Sequence, residues 1–195
     1  MDLARRLGLL FMLSAAAFGL PQHLIADDRM SNCFKFIAGM GVSVFGIHEG
    51  GHTVAALALG YPMSDISYRF SSVEIDGLAV GTTDDKIIKM SGFAAQAIST
   101  EIILDVKAIP KDSWFVAGIL AANILQPLVY VARSELGFPA RDFEGFSTQQ
   151  KRTAEALILG YALLSAYRVY KNPDFPIRLT SSGRDIMLTY RKTFD

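Results

Sequence analysis

Five long apolar runs constrain the fold of this chain more than any other feature. They cover residues 7–26, 34–60, 90–106, 114–132 and 154–170. About 20 apolar residues in a helix are enough to cross the hydrocarbon core of a bilayer. Because lipid offers no hydrogen-bond partners, each run must bond its own backbone, as a helix does. The expected fold class is an all-α membrane protein, a bundle of four to five transmembrane helices.

The composition agrees with a membrane protein and excludes other classes. Apolar residues make up 51% of the chain and charged residues only 19%, against about 25% charged residues in ordinary soluble domains. The 19 basic and 19 acidic residues balance, which argues against a nucleic-acid partner held by bulk positive charge. A single cysteine, Cys33, excludes an intramolecular disulfide framework and a Cys-rich zinc site.

The first run, which follows Arg5 and Arg6, has two interpretations. A basic start and an apolar middle are typical both of a membrane helix and of a signal peptide. Leu24 stands where a cleavage site before Asp27 would need a small residue. This favours an uncleaved helix, so residues 1–26 are expected to form an N-terminal transmembrane helix or an uncleaved signal anchor.

Basic residues in the loops predict the orientation, since they are retained on the cytoplasmic side. Arg5 and Arg6 place the N-terminus inside, and the basic loops at residues 69–89 and 133–152 then also lie inside. The basic tail, residues 171–195, would lie outside if the fifth run crosses. That run therefore either crosses against the rule or lies in the bundle without crossing. We expect a multi-pass integral protein of the inner or plasma membrane.

A polar segment rich in β-forming residues separates the second and third runs. Apolar and polar residues alternate from Ile66 to Phe70 and again around Asp76-Gly77. An Asp-Gly pair between alternating apolar residues is typical of a hairpin turn. The sequence predicts a small β-hairpin insertion with its turn at Asp76-Gly77.

The second run contains His48-Glu49-Gly50-Gly51-His52, an H-E-x-x-H pattern. Histidines four residues apart share one helix face, so both imidazoles can bind one zinc ion. Glu49 can take a proton from a zinc-bound water and pass it to a leaving amine. Two packed histidines are the alternative, but ionisable groups in an apolar span are costly to bury without a function. The pattern predicts a Zn2+ site with Glu49 as general base.

A catalytic zinc site needs a third protein ligand and one open position. His23 belongs to another helix and is more typical of an interfacial residue. The carboxylates on the inner side or on the third run remain candidates: Glu135, Asp142, Glu144, Glu101 and Asp105.

These features resemble the site-2 protease family of intramembrane zinc metalloproteases. The resemblance covers roughly residues 38–145 and begins with the H-E-x-x-H pattern in a membrane span, followed by a β-forming loop. Ser91-Gly92-Phe93-Ala94-Ala95 is similar to the family's small-residue helix start, and Asn123-Ile124-Leu125-Gln126-Pro127 to the first half of its N-x-x-P…D-G motif. Asp142 departs from the pattern, because it lies fifteen residues after Pro127 instead of one or two helical turns.

The resemblance implies a role for each residue. His48, His52 and Asp142 would hold zinc, and Glu49 would be the base. Asn123 would bond the substrate backbone or the developing oxyanion, or else serve as a polar clamp between helices.

The implied activity is that of an intramembrane zinc endopeptidase. It would hydrolyse a peptide bond in or near a transmembrane segment of a membrane-spanning protein, with zinc-bound water as nucleophile and the active site toward the cytoplasm. Residues 34–170 would form the metalloprotease core, followed by the polar tail. Two alternatives remain open: an inactive relative that binds membrane protein segments, and a soluble zincin-like metallopeptidase whose apolar runs are core helices.

Overall fold

The structure is a computed structural model that describes residues 26–69, 72–172, 175, 177–181 and 186–190. The expected N-terminal helix, and His23 within it, lie outside the described residues apart from Ala26.

Helices dominate the described part of the chain. They are α1 (Ala26–Gly41), a π-helical segment (Val42–His48), α2 (Glu49–Ala58), α3 (Thr83–Asp105), α4 (Trp114–Glu135) and α5 (Thr148–Lys171). Helix α1, the π-helical segment and α2 follow one another without a break.

Three helices in the described ranges are long and apolar enough to cross a membrane. They are Met30–Ala58, Thr83–Asp105 and Trp114–Glu135, with mean hydropathies of 1.3, 1.3 and 1.8. The mostly helical bundle and its membrane-like helices are as predicted. The expected number of four to five spans is not reached within the described residues, which supply three candidates.

The fifth apolar run is not among these candidates. It lies in α5, which packs against α3 and α4. Charged residues near its two ends bond within the protein: Glu155 is buried beside Lys151, and Arg168 pairs with Glu101 and Asp105 of α3. This arrangement agrees with a helix that lies against the bundle.

Local sequence signals explain where α3 and α5 begin. The Thr82 hydroxyl accepts a hydrogen bond from the Asp85 backbone N–H, and acidic residues fill the first turn of α3. Ser147 and Gln150 form a reciprocal capping box at the start of α5. Both devices satisfy backbone N–H groups that a helix start leaves unpaired.

Glycines allow α1 and α4 to cross closely. A Cβ atom at Gly39 would collide with the Phe115 carbonyl oxygen, and one at Gly118 with the Phe36 carbonyl oxygen. Small residues at such crossings are typical of helix packing in membranes, where backbones approach closely. Large apolar side chains of the membrane-like helices stay exposed, among them Phe34, Ile37, Phe45, Val54 and Ile98. This is the distribution that contact with lipid requires.

The predicted hairpin is present, but its turn is elsewhere. Strand β1 (Ile66–Arg69) pairs antiparallel with β2 (Ser72–Ile75), and Arg69 faces Ser72. The chain does turn at Asp76-Gly77, but the prediction that this turn joins the two strands of the hairpin is wrong. Gly77 has a positive φ of 77°, and it redirects the chain after β2 so that Leu78 packs on the buried cluster around Ile66. Burial of that cluster, which local turn chemistry cannot anticipate, decides the register.

The tail contains a second pair of strands that was not predicted. Strand β3 (Ile177–Ser181) pairs antiparallel with β4 (Ile186–Tyr190). Alternation of apolar and polar residues at 177–179 and 188–190 is the signal that could have indicated them.

Candidate metal centre

The H-E-x-x-H pattern begins at the end of the seven-residue π-helical segment Val42–His48. Such wide turns bond residue i to residue i+5 and occur frequently at functional sites. Ser43 and His48 are five residues apart and both are buried. The wide turn therefore allows a serine and a metal-binding candidate to face the same interior.

The Asp142 carboxylate faces both imidazoles. Its Oδ2 lies 3.3 Å from His48 Nε2, and its Oδ1 lies 3.9 Å from His52 Nε2. Two ligands each 2.0–2.1 Å from a tetrahedral zinc would be about 3.3 Å apart. The structure thus brings the three residues together, and the separation of Asp142 from His48 is that of two ligands of one zinc ion, while the separation from His52 is longer. Ligation itself stays a prediction.

Glu49 adds a carboxylate oxygen that forms no hydrogen bond. Its Oε2 is buried and has no hydrogen-bond partner. Ligand atoms of His48, Glu49 and His52 lie within 4.8 Å of one another. Two imidazoles, one shared carboxylate and one unbonded carboxylate oxygen form a donor set that fits Zn2+ with a separate base beside it.

Helix α3 supplies the outer contacts of both imidazoles. His52 Nδ1 lies 2.6 Å from the Ile88 carbonyl oxygen. A carbonyl oxygen only accepts, so His52 Nδ1 donates, and neutral His52 directs its Nε2 lone pair toward Asp142. His48 Nδ1 lies 3.3 Å from Gln96 Oε1. Partners of this kind orient metal-binding histidines.

Gly92 of α3 leaves the space in which the two rings lie. A Cβ atom there would be 2.7 Å from Cε1 of both His48 and His52. Gly51 packs equally closely, because its Cβ would lie 2.5 Å from the Ser91 carbonyl oxygen. Gly50 has nothing within 4 Å of its Cβ position and faces open space.

A return loop carries Asp142 back to the histidines. Helix α4 continues for about two turns beyond Pro127, to Glu135, and the chain then folds back toward α3. Lys89 donates to the Glu144 carbonyl oxygen at 2.8 Å. Phe143 is buried and stacks on Phe93 with ring centroids 6.4 Å apart. The fifteen-residue separation from Pro127 is thus the length of a helix extension plus this loop.

The other carboxylates considered as third ligands are engaged elsewhere or exposed. Tyr161 donates to Glu101 at 2.8 Å, and Arg168 bonds both Glu101 and Asp105. Glu135 and Glu144 are exposed. Of these five candidates, Asp142 is the one whose carboxylate faces both histidines.

Asn123 lies in a buried network between helices. Its Oδ1 accepts from the Ser43 hydroxyl at 2.5 Å. Its Nδ2 lies 3.1 Å from the Gln96 carbonyl oxygen, 2.8 Å from Ser99 Oγ and 2.9 Å from Thr100 Oγ1. These are the contacts of an inter-helix clamp. A bond from Asn123 to a substrate stays a prediction, and it would require the amide to leave these partners.

Sequence reasoning missed Ser43 and Gln96 as members of the site, and it missed Tyr130, whose phenol interacts with Asp142. Ser43 and Gln96 are polar residues within apolar runs, and this pattern could have indicated them.

No protein-family model matches the chain, and no curated protein or solved structure matches it. The likeness to site-2 proteases therefore rests on the motifs and on the geometry described above.

Proposed function

We propose that this protein is an intramembrane zinc endopeptidase similar to site-2 proteases. Its substrate would be a membrane-spanning protein, cleaved in or near a transmembrane segment. The observation that supports this most is the convergence of His48, His52 and Asp142 beside the unbonded Glu49 carboxylate, on a helix apolar enough to cross a bilayer.

The electrostatics of the cluster support a bound cation. His52 directs a lone pair toward Asp142, because its Nδ1 donates to the Ile88 carbonyl oxygen. A lone pair and a carboxylate that face each other in a buried site repel each other, and burying an unpaired charge is costly. A cation between them, either a proton on the imidazole or a metal ion, removes this conflict, and Zn2+ takes these ligands in proteins.

Different residues of the protein would then bind zinc, transfer the proton and leave space for the substrate. Bound zinc would supply a Lewis acid that activates a water molecule. Glu49 Oε2, which is free of other hydrogen bonds, would accept the proton of that water and give it to the leaving amide nitrogen. His48, His52 and Asp142 would hold the centre. Gly50 leaves space beside Glu49 for the substrate backbone.

The hairpin would assist substrate binding, or else serve as a lid or a structural connector. Tyr68 Oη of β1 lies 2.9 Å from Thr53 Oγ1, one residue after the second histidine. A transmembrane substrate must be unwound before cleavage, and its freed amides need partners in a site poor in water. Addition of the unwound segment to the hairpin as an extra strand would supply them. By the loop charges, we place this side of the site toward the cytoplasm.

The test is cleavage of single-span reporter proteins co-reconstituted with the purified chain in liposomes, comparing wild type with Glu49→Gln. Glutamine keeps the shape of the side chain but cannot serve as the base. We expect the variant to retain zinc and to lose cleavage by about a hundredfold or more.

Two other results of this cleavage test would change the proposal. Zinc bound by wild type without cleavage of any reporter would favour the inactive, segment-binding alternative. Near-normal turnover by Glu49→Gln would remove Glu49 from the mechanism.

A further inference from the structure

We infer that a hydrogen-bond relay from Asn123 through Ser43 and Gln96 determines which ring nitrogen of His48 is free to bind metal. The inference rests on the proposed metal site and assigns Gln96, Ser43 and Asn123 as positioning residues.

The relay residues come from three separate helical segments and are almost completely buried. Ser43 belongs to the π-helical segment, Gln96 to α3 and Asn123 to α4, and they are exposed by 0%, 1% and 3%. Polar groups at such positions in an apolar bundle are tolerated when their hydrogen bonds are satisfied. The donor and acceptor at each step can therefore be worked out from one fixed point.

The fixed point is a backbone carbonyl. Asn123 Nδ2 lies 3.1 Å from the Gln96 main-chain oxygen, which can only accept. This sets the orientation of the Asn123 amide and turns its Oδ1 toward Ser43. Because that oxygen also only accepts, the Ser43 hydroxyl must donate to it, at 2.5 Å.

The next step fixes the side chain of Gln96. A hydroxyl has one proton, and Ser43 uses it in the hydrogen bond to Asn123. Ser43 can therefore only accept a hydrogen bond from Gln96. Gln96 therefore presents Nε2 to Ser43, at 3.0 Å. Gln126 also bonds Gln96 Nε2, at 2.8 Å, but an unconstrained primary amide can present either atom and does not set the direction.

The last step reaches His48. With Nε2 turned to Ser43, Gln96 presents Oε1 to His48 Nδ1, at 3.3 Å. That oxygen only accepts, so Nδ1 of neutral His48 carries the proton and Nε2 holds the lone pair. Nε2 is the atom that faces Asp142. The Ile88 carbonyl oxygen sets the same tautomer of His52 directly. The tautomer of His48 is set through three side chains.

The sharpest test compares Ser43→Ala with Ser99→Ala. Each removes one hydroxyl that bonds Asn123, but only Ser43 joins Asn123 to the Gln96 side chain.

The His48 tautomer is read in metal-free protein that also carries Asp142→Ala, because the Asp142 carboxylate faces Nε2 and would otherwise compete for the proton. The readout is NMR of 15N-labelled imidazoles, with the signal assigned by its loss in His48→Gln. Zn2+ affinity is measured by competition with a chelator.

We expect Ser43→Ala to give a mixture of His48 tautomers and to weaken Zn2+ binding by about tenfold or more, the usual scale for outer partners of a ligand. Ser99→Ala should leave both unchanged.

A second pair of variants separates the relay from simple packing. Gln96→Leu fills the same space without an acceptor and should lose the tautomer preference. Gln96→Glu keeps an oxygen for His48 Nδ1 and should restore both the tautomer and most of the affinity. Equal behaviour of these two variants would indicate packing alone.

A single, unchanged Nδ1–H tautomer in both Ser43→Ala and Gln96→Leu would overturn the inference. If the wild type binds no Zn2+, the proposed function fails, but the tautomers of the metal-free variants still decide whether the relay exists.

Discussion

The Asp142 carboxylate lies 3.3 Å from His48 Nε2, although 94 positions separate the two residues in the chain. The contact joins a loop that follows α4 to a helix that precedes the hairpin. It allows three potential zinc ligands to meet, two from one continuous helix and one from the loop.

Gly92→Ala should disrupt the metal centre more than any comparable change on the open side of the site. The added methyl group would lie 2.7 Å from Cε1 of both histidines, so the rings would have to move. We expect Zn2+ affinity to fall by about tenfold or more, the scale seen when ligand orientation is disturbed. Gly50→Ala is the matched control, since its methyl group would meet nothing within 4 Å.

Lys89→Met should destabilise the protein by about 3 kcal/mol, because it leaves the buried Asp85 carboxylate without its cation and with the Gly81 N–H as its remaining partner. Lys89 Nζ lies 2.9 Å from Asp85 Oδ1, and the Asp85 side chain is 4% exposed. The same change at Arg69, whose pair with Glu74 is exposed, should cost less than about 1 kcal/mol. Equilibrium unfolding in mixed micelles measures both, and equal costs would contradict the burial argument.

The chain should remain in the membrane pellet after an alkaline carbonate wash and be released by detergent. The reason is the presence of three helices with apolar composition and sufficient length, together with large apolar side chains that stay exposed. Release into the supernatant without detergent would favour the soluble zincin-like alternative.

The sequence predicted the parts of this molecule that depend on local pattern. Apolar runs located the helices, and alternation located the hairpin strands. The His48-Glu49-His52 spacing and the family resemblance together led to Asp142, which the structure places beside the histidines.

Features that depend on tertiary contacts could not be predicted in this way. The π-helical segment has no distinctive composition, and it matters because it lets Ser43 and His48 face one interior. Ser43 and Asn123 bond each other across 80 positions, so neither residue alone indicated the relay. The hairpin turn was misplaced because Asp76-Gly77 forms a turn after β2, whereas β2 pairs with the strand before it and Ile66 and Leu78 pack in one cluster.

The most direct test of the central claim is the zinc content of the purified protein, measured by metal analysis of wild type beside Asp142→Ala and Glu144→Ala. Asp142 faces both imidazoles, whereas Glu144 lies two residues away with an exposed side chain. We predict one zinc per wild-type chain, retained in Glu144→Ala and largely lost in Asp142→Ala. Full zinc occupancy and unchanged affinity in Asp142→Ala, or no zinc in the wild type, would contradict the account.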